Sequence, residues 1–183
     1  MDRPLDALRS ATTTQLVAVR DAGGLPMPSG VRIVTDIRPE RASLVGLHTA
    51  LTFAEGAALV LAWDMPFVSG SLLRALRALG EHNAVAVVPE GPHGPEALCA
   101  YYPRSTLSVV ERQLERAELR LSAFVDALGD VTILRLHEMK RFGAPEHLFD
   151  NVNSPADLTR VERELHAAEA APADGVSSLR EHP

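Results

Sequence analysis

Aromatic side chains are scarce: Phe, Tyr and Trp make up 4% of the 183 residues, so aliphatic side chains must build most of the core. Cysteine occurs once, at Cys99, which excludes an intramolecular disulfide and a thiolate metal cluster. A chain without disulfides fits a reducing compartment. No apolar run approaches the roughly 20 residues that span a bilayer. Met1-Asp2-Arg3-Pro4 does not lead into the apolar stretch of a signal peptide. Lysine also occurs once, at Lys140, and the net charge is −6. That balance excludes a phosphate-neutralising nucleic-acid surface as the main activity. It leaves open small phosphorylated ligands, which an acidic protein can hold through backbone amides and a metal ion. The expectation is a cytoplasmic protein with neither a membrane nor a nucleic acid as partner.

What is present is an alternation of short apolar runs with helical patterns, the signature of βαβ units and an α/β fold with a mostly parallel sheet. Strands are predicted at Gln15 to Arg20, Gly30 to Asp36, Ala57 to Trp63, Ala84 to Pro89, Leu98 to Tyr102 and Val131 to Leu136. The run AALVLAW at Ala57 to Trp63 is apolar almost throughout, as burial on both faces of a sheet requires. Helical spacing marks Leu44 to Glu55, Ser69 to Gly80, Ser105 to about Glu118 and Leu119 to Leu128, with Gly80 read as a C-terminal stop. A last helix opens near Pro155 and runs to about Ala168. One domain over residues 1–170 is expected, followed by a polar, proline-bearing tail over 171–183 that lacks the composition to fold.

Two carboxylates stand where such a fold binds ligands. Asp64 follows the strand Ala57 to Trp63 and Asp36 closes the strand Gly30 to Asp36, so both fall at the carboxyl edge of a parallel sheet. Asp64 there can hold a Mg²⁺ that bridges ligand phosphates. Both aspartates also suit plain turn initiation, and the pattern alone leaves the two readings open. Near the C-terminus, Ser154 before Pro155 reads as a helix N-cap with proline at the first helical position. Capping leaves Asn151 and Asn153 unexplained, two short amides able to bind backbone or ligand.

Several segments carry a resemblance. Asp64-Met65-Pro66-Phe67 after an apolar strand, and Asn151-Val152-Asn153-Ser154-Pro155-Ala156-Asp157-Leu158, resemble the paired motifs of molybdenum cofactor guanylyltransferases. Pro95 to Tyr102, the helix Arg120-Leu121-Ser122-Ala123-Phe124, and the stretches Asp36 to Pro39 and Leu44 to Leu51 are similar to the same family, in order along residues 2–165. The resemblance implies a Rossmann-like domain, with helices on both faces of the sheet, that binds GTP with Mg²⁺. It would transfer GMP to the terminal phosphate of molybdopterin and release pyrophosphate. Carried over by position, Asp64 is the catalytic Mg²⁺ ligand and Asp36 a nucleotide contact. Asn151 and Asn153 lie near the pterin or the edge of the site, and Arg120 contacts phosphate. Partners would be GTP, molybdopterin and molybdoenzyme maturation proteins.

The sequence departs from that family at two places. Its members open on an apolar strand and a glycine-rich loop with Arg and Lys, whereas Met1 here aligns within their first long helix. Gly23-Gly24 has no lysine after it and reads as a turn. The expectation is a sheet whose first central strand is missing, with unpaired edges on Leu16 to Arg20 and Ala57 to Trp63. After Asp36 to Pro39 the family's glycines are replaced by Glu40-Arg41-Ala42-Ser43, which opens the question of purine selectivity. The alternatives are a same-fold nucleotidyltransferase with another acceptor or nucleotide, and an inactive module that binds a partner. His48 and Cys99 read as core residues, His93 as a loop residue, and Arg74, Arg77, Arg112 and Arg116 as solvated helix faces.

Overall fold

The computed structural model of the chain describes residues 2–23, 29–144, 147–152, 157 and 159. Residues up to Asp150 form one compact unit and those from Asn151 a second. The first unit contains α1 (Asp2–Arg9), β1 (Gln15–Val19), β2 (Val31–Thr35), α2 (Ser43–Phe53), β3 (Ala58–Leu61), α3 (Gly70–Asn83), β4 (Ala86–Gly91), β5 (Gly94–Pro95), β6 (Cys99–Tyr102), α4 (Leu107–Glu115), α5 (Leu121–Ala127) and β7 (Val131–Leu134). Among the described residues, no helix is long and apolar enough to cross a membrane.

The strands form two sheets. β1 and β2 pair in parallel, Gln15 opposite Val31 through Val19 opposite Thr35. In the other sheet the order is β3-β6-β4-β5, with β7 parallel to β4 and β6 antiparallel to both its neighbours. The chain crosses from β2 to β3 through the single helix α2, the connection that joins strands of one direction. Asp36 and Asp64 each follow the carboxyl end of their own strand, β2 in one sheet and β3 in the other.

Strand parity sorts the side chains into two cores, one on each face. Ala86, Val88, Ala100 and Tyr102 pack with α2, α4 and α5, where the Tyr102 and Phe124 rings meet at 5.6 Å between centroids. Val87, Cys99 and Tyr101 point the other way, onto α3 and the apolar residues of α1. Helices thus cover both faces, as an α/β layer requires. Cys99 is fully buried in the second core, and burial pushes its thiol far above the ordinary range.

Four local details fix this frame. Ser69 caps α3, its hydroxyl accepting from the Leu72 amide at 3.3 Å. Arg104 donates to the carbonyls of Leu51 at 2.8 Å and Ala54 at 2.6 Å, satisfying the carboxyl end of α2. Gly80 does not stop α3, which continues to Asn83 and ends where Ala84 turns left-handed at φ 56°. Gly80 is glycine because α3 lies against β6 there, and a methyl group would run into the Tyr101 ring. Arg74 and Arg77 are exposed but not idle. They donate to Ser10 Oγ and to the Ala11 carbonyl, both at 2.9 Å, and fasten the α1–β1 connection to α3.

Candidate functional site

Asp64 sits on the turn after β3, where the Met65 amide donates to the Ala62 carbonyl at 3.4 Å. Met65 and Val68 are buried with Leu72 and Leu73 in the α3-side core, so the turn is anchored from below and the intervening edge is held in place. Asp64 is half-buried and lines a cavity of about 1030 Å³, together with Trp63 from the same turn and Arg20, Asp21 and Gly23 beyond β1. That volume is of the size that takes a nucleotide-sized ligand. No hydrogen bond or ion pair joins the Asp64 carboxylate to another described residue. Trp63 is 56% exposed, one of two large apolar side chains left in solvent among the described residues.

Asp36 occupies the corresponding position after β2. Its amide donates to the Val19 carbonyl at 2.8 Å, which locks it to the β1 side, and the Ile37 amide donates to Thr49 Oγ1 at 3.3 Å. Asp36 does not line the cavity that holds Asp64. Its Oδ1 is buried with no hydrogen-bond partner among the described residues. Arg38 Nε, Glu40 Oε2, His48 Nδ1 and Gln113 Oε1 share that condition. These five atoms lie on the β2–α2 loop, α2 and α4, where Arg38, Glu40 and His48 form a polar wall of the kind that ordered water or a ligand satisfies. Within it Arg38 and Glu40 pair at 3.3 Å, and His48 Nε2 lies 4.0 Å from Glu111 Oε1. Burial lowers the His48 pKa; Glu111 and Glu40 oppose that and Arg38 adds to it. Sequence reading missed this wall, because Glu40 and Arg41 look like an ordinary charged loop and Gln113 an ordinary helix surface.

Arg120 and His93 do not line the cavity. Arg120 is exposed at the start of α5 and chelated by Glu118, with Nε to Oε1 and Nη2 to Oε2 each at 2.9 Å. The hydrogen bonds from Arg120 hold the Glu118 carboxyl well down, at about 2. Asn151 is exposed in the second compact unit, and Asn153 lies outside the described residues. His93 is exposed in the β4–β5 connection, as the sequence suggested.

The donor set fits a magnesium ion and not a protein-caged metal. Among the described residues no three His, Cys, Asp or Glu side chains gather to hold an ion. Mg²⁺ commonly takes one or two carboxylates and completes its shell with water and substrate phosphates. The Asp64 carboxylate lines the cavity, has no hydrogen-bond or ion-pair partner among the described residues, and would be that single protein ligand.

Residues 1–131 match the family described as the MobA-like NTP transferase domain. A molybdenum cofactor guanylyltransferase of Desulfosudis oleivorans is 33% identical over 139 residues, 74% of this chain and 67% of the relative. The chain spans about two thirds of the length of such relatives, 66% for a probable molybdenum cofactor guanylyltransferase of Bacillus licheniformis that is 33% identical. Among solved structures, molybdopterin-guanine dinucleotide biosynthesis protein A of Archaeoglobus fulgidus superposes with a TM-score of 0.65 at 29% identity, covering 74% of this chain and 69% of that one.

Proposed function

The chain belongs to the MobA-like NTP transferase domain family, and from that premise we propose that it transfers GMP from GTP to molybdopterin, with Mg²⁺ and with release of pyrophosphate. The observation that carries the reading is Asp64, an unpaired carboxylate on the anchored turn after β3, facing the cavity. In this reaction an oxygen of the acceptor's terminal phosphate attacks the α-phosphorus of GTP. A new phosphoanhydride bond forms as the bond to the β,γ-diphosphate breaks, and pyrophosphate leaves. Bound Mg²⁺ would neutralise the phosphate charge that builds up in that step. The protein needs no nucleophile, and the remaining work is positioning.

In this reading Asp64 orients the phosphates through the ion it holds. Asp36 is the proposed nucleotide contact at the end of β2, although it lies outside the lining of the Asp64 cavity. Arg120 reaches phosphate only by leaving Glu118, so its part is the more costly one. Asn151 and Asn153 serve the acceptor side. The reaction fits a cytoplasmic protein, in keeping with its single, buried, unpaired cysteine. The alternative nucleotide is CTP, which the Glu40 to Ser43 loop keeps open: Glu40, paired with Arg38, opens the stretch where the resemblance would put glycines.

The test is pyrophosphate release from GTP or CTP with molybdopterin as acceptor. GTP-dependent release is expected, with a loss of about a hundredfold or more in Asp64→Asn. Binding of molybdopterin or of molybdoenzyme maturation proteins without any release would replace this reading with that of an inactive binding module.

A further inference from the structure

Away from the Asp64 cavity, four charged or titratable side chains act on one another: Arg38 and Glu40 on the β2–α2 loop, His48 on α2 and Glu111 on α4. The strands packed on α2 add no charge to this group. β1 and β3 carry no titratable side chain, and Arg32, the only one on β2, lies over the Phe53 ring at 5.2 Å. With a neutral imidazole, one cation (Arg38) faces two carboxylates (Glu40 and Glu111). Protonation of His48 balances the charges.

The hydrogen bonds stand in the same imbalance. His48 is buried, its Nδ1 has no hydrogen-bond partner among the described residues, and its Nε2 lies 4.0 Å from Glu111 Oε1, longer than a hydrogen bond. A buried imidazolium needs acceptors for both of its N–H groups. Glu111 Oε1 stands opposite one of them. Glu40 Oε2, also buried and without a partner among the described residues, is available to the other. Glu40 accepts from Arg38 Nη2 with its other oxygen at 3.3 Å, long for a bond between full charges and therefore easily surrendered. Its own backbone amide, and then Arg38, hold the Glu40 carboxyl below the usual carboxylate range, so Glu40 keeps its charge while the imidazole titrates. The loop itself is tied at its two ends: the Ile37 amide donates to Thr49 Oγ1 at 3.3 Å and the Val45 amide to the Ala42 carbonyl at 3.0 Å. Thr49 follows His48 directly, so one turn of α2 carries both the anchor and the ring.

We propose that His48 is a pH-operated switch on the β2–α2 loop. Taking a proton from solvent, the ring draws Glu111 onto Nε2–H and Glu40 onto Nδ1–H, Arg38 is released, and the loop passes to a second arrangement. Because Asp36 opens this loop, the switch regulates the nucleotide side of the site, a consequence that rests on the reading of Asp36 given above. Burial lowers the ring's pKa most strongly, Glu111 and Glu40 raise it and Arg38 lowers it. The switch therefore works on the acid side of the ordinary value of 6.5.

The experiment is an NMR titration of the isotopically labelled whole chain from about pH 7.5 to about pH 5, without nucleotide. The amides of Ile37, Arg38 and Glu40 should shift with the same midpoint as the His48 ring, and should stay still in His48→Gln. Glu111→Gln should lower that midpoint and Arg38→Gln should raise it, since the first removes an attracting charge and the second a repelling one. Both substitutions fall at partly exposed side chains, so this pair decides the matter even if His48→Gln does not fold. A ring that does not titrate in this range overturns the proposal. So do loop amides that fail to follow the ring, loop shifts that persist in His48→Gln, or a midpoint that moves the same way in both charge variants. Because nucleotide is absent, failure here is distinct from failure of the transfer reaction.

Discussion

His48 shows how one residue can be right in kind and incomplete in context. A histidine within an apolar helical run reads as a core residue, and it is 7% exposed. What the run could not reveal is the company it keeps, because Arg38, Glu40 and Glu111 arrive from a loop and from α4. Burial lowers its pKa, so the folded state favours the neutral ring and the unfolded chain binds the proton more tightly. The stability this contributes is fully present above the unfolded value near 6.5 and is lost as pH falls through the interval below it. The melting temperature should therefore drop between pH 7.5 and 5.5, and His48→Gln should flatten that slope. Equal slopes in both proteins would assign the pH dependence elsewhere. Gly80 is the residue the sequence misled on. Glycine late in a helical pattern reads as a stop, but here it is the point where α3 meets Tyr101. Gly80→Ala should cost about 1–3 kcal/mol in urea unfolding despite its better helix propensity. A gain in stability would mean that Tyr101 moves freely.

At the scale of elements, most strands and helices of the first unit were legible because each has a strong period and clear punctuation, whereas the short α1 and the two-residue β5 were not. The run at Ala57 to Trp63 contains β3, and the Ser69 cap fixes the start of α3. Pairing was less legible. That β6 runs antiparallel between β3 and β4 depends on contacts far apart in sequence, and no local signal marks it. The candidate residues followed the same division: the sequence marks the strand ends where Asp36 and Asp64 stand, whereas the buried unpartnered polar atoms lie on three separate elements that no local signal joins. Leu76 of α3 is fully buried and sits where the helix crosses the sheet. Leu76→Ala should lower stability by about 2–5 kcal/mol, read from the urea midpoint. A loss below 1 kcal/mol would show that this core collapses onto the gap.

For the whole molecule, the separation into two sheets is the dominant fact. Among the described residues, β1 and β2 hold to the rest of the first unit through α1 and α2 and through the Arg77 bond to Ala11, with no strand-to-strand ladder into the larger sheet. The amides of Gln15–Val19 and Val31–Thr35 should exchange hydrogen faster than those of Val87, Val88 and Ala100. Uniform protection across all of them would mean that the two sheets open as one. The resemblance already suggested an unpaired edge at these two strands; the helices that roof the gap on both faces became visible only in three dimensions.

The central claim is that Asp64 and its cavity form a magnesium–nucleotide site, and titration of GTP with Mg²⁺ while following the melting temperature tests it most directly. The account predicts a saturating rise that requires both Mg²⁺ and GTP and disappears in Asp64→Ala. No rise, or the same rise in Asp64→Ala, would contradict it.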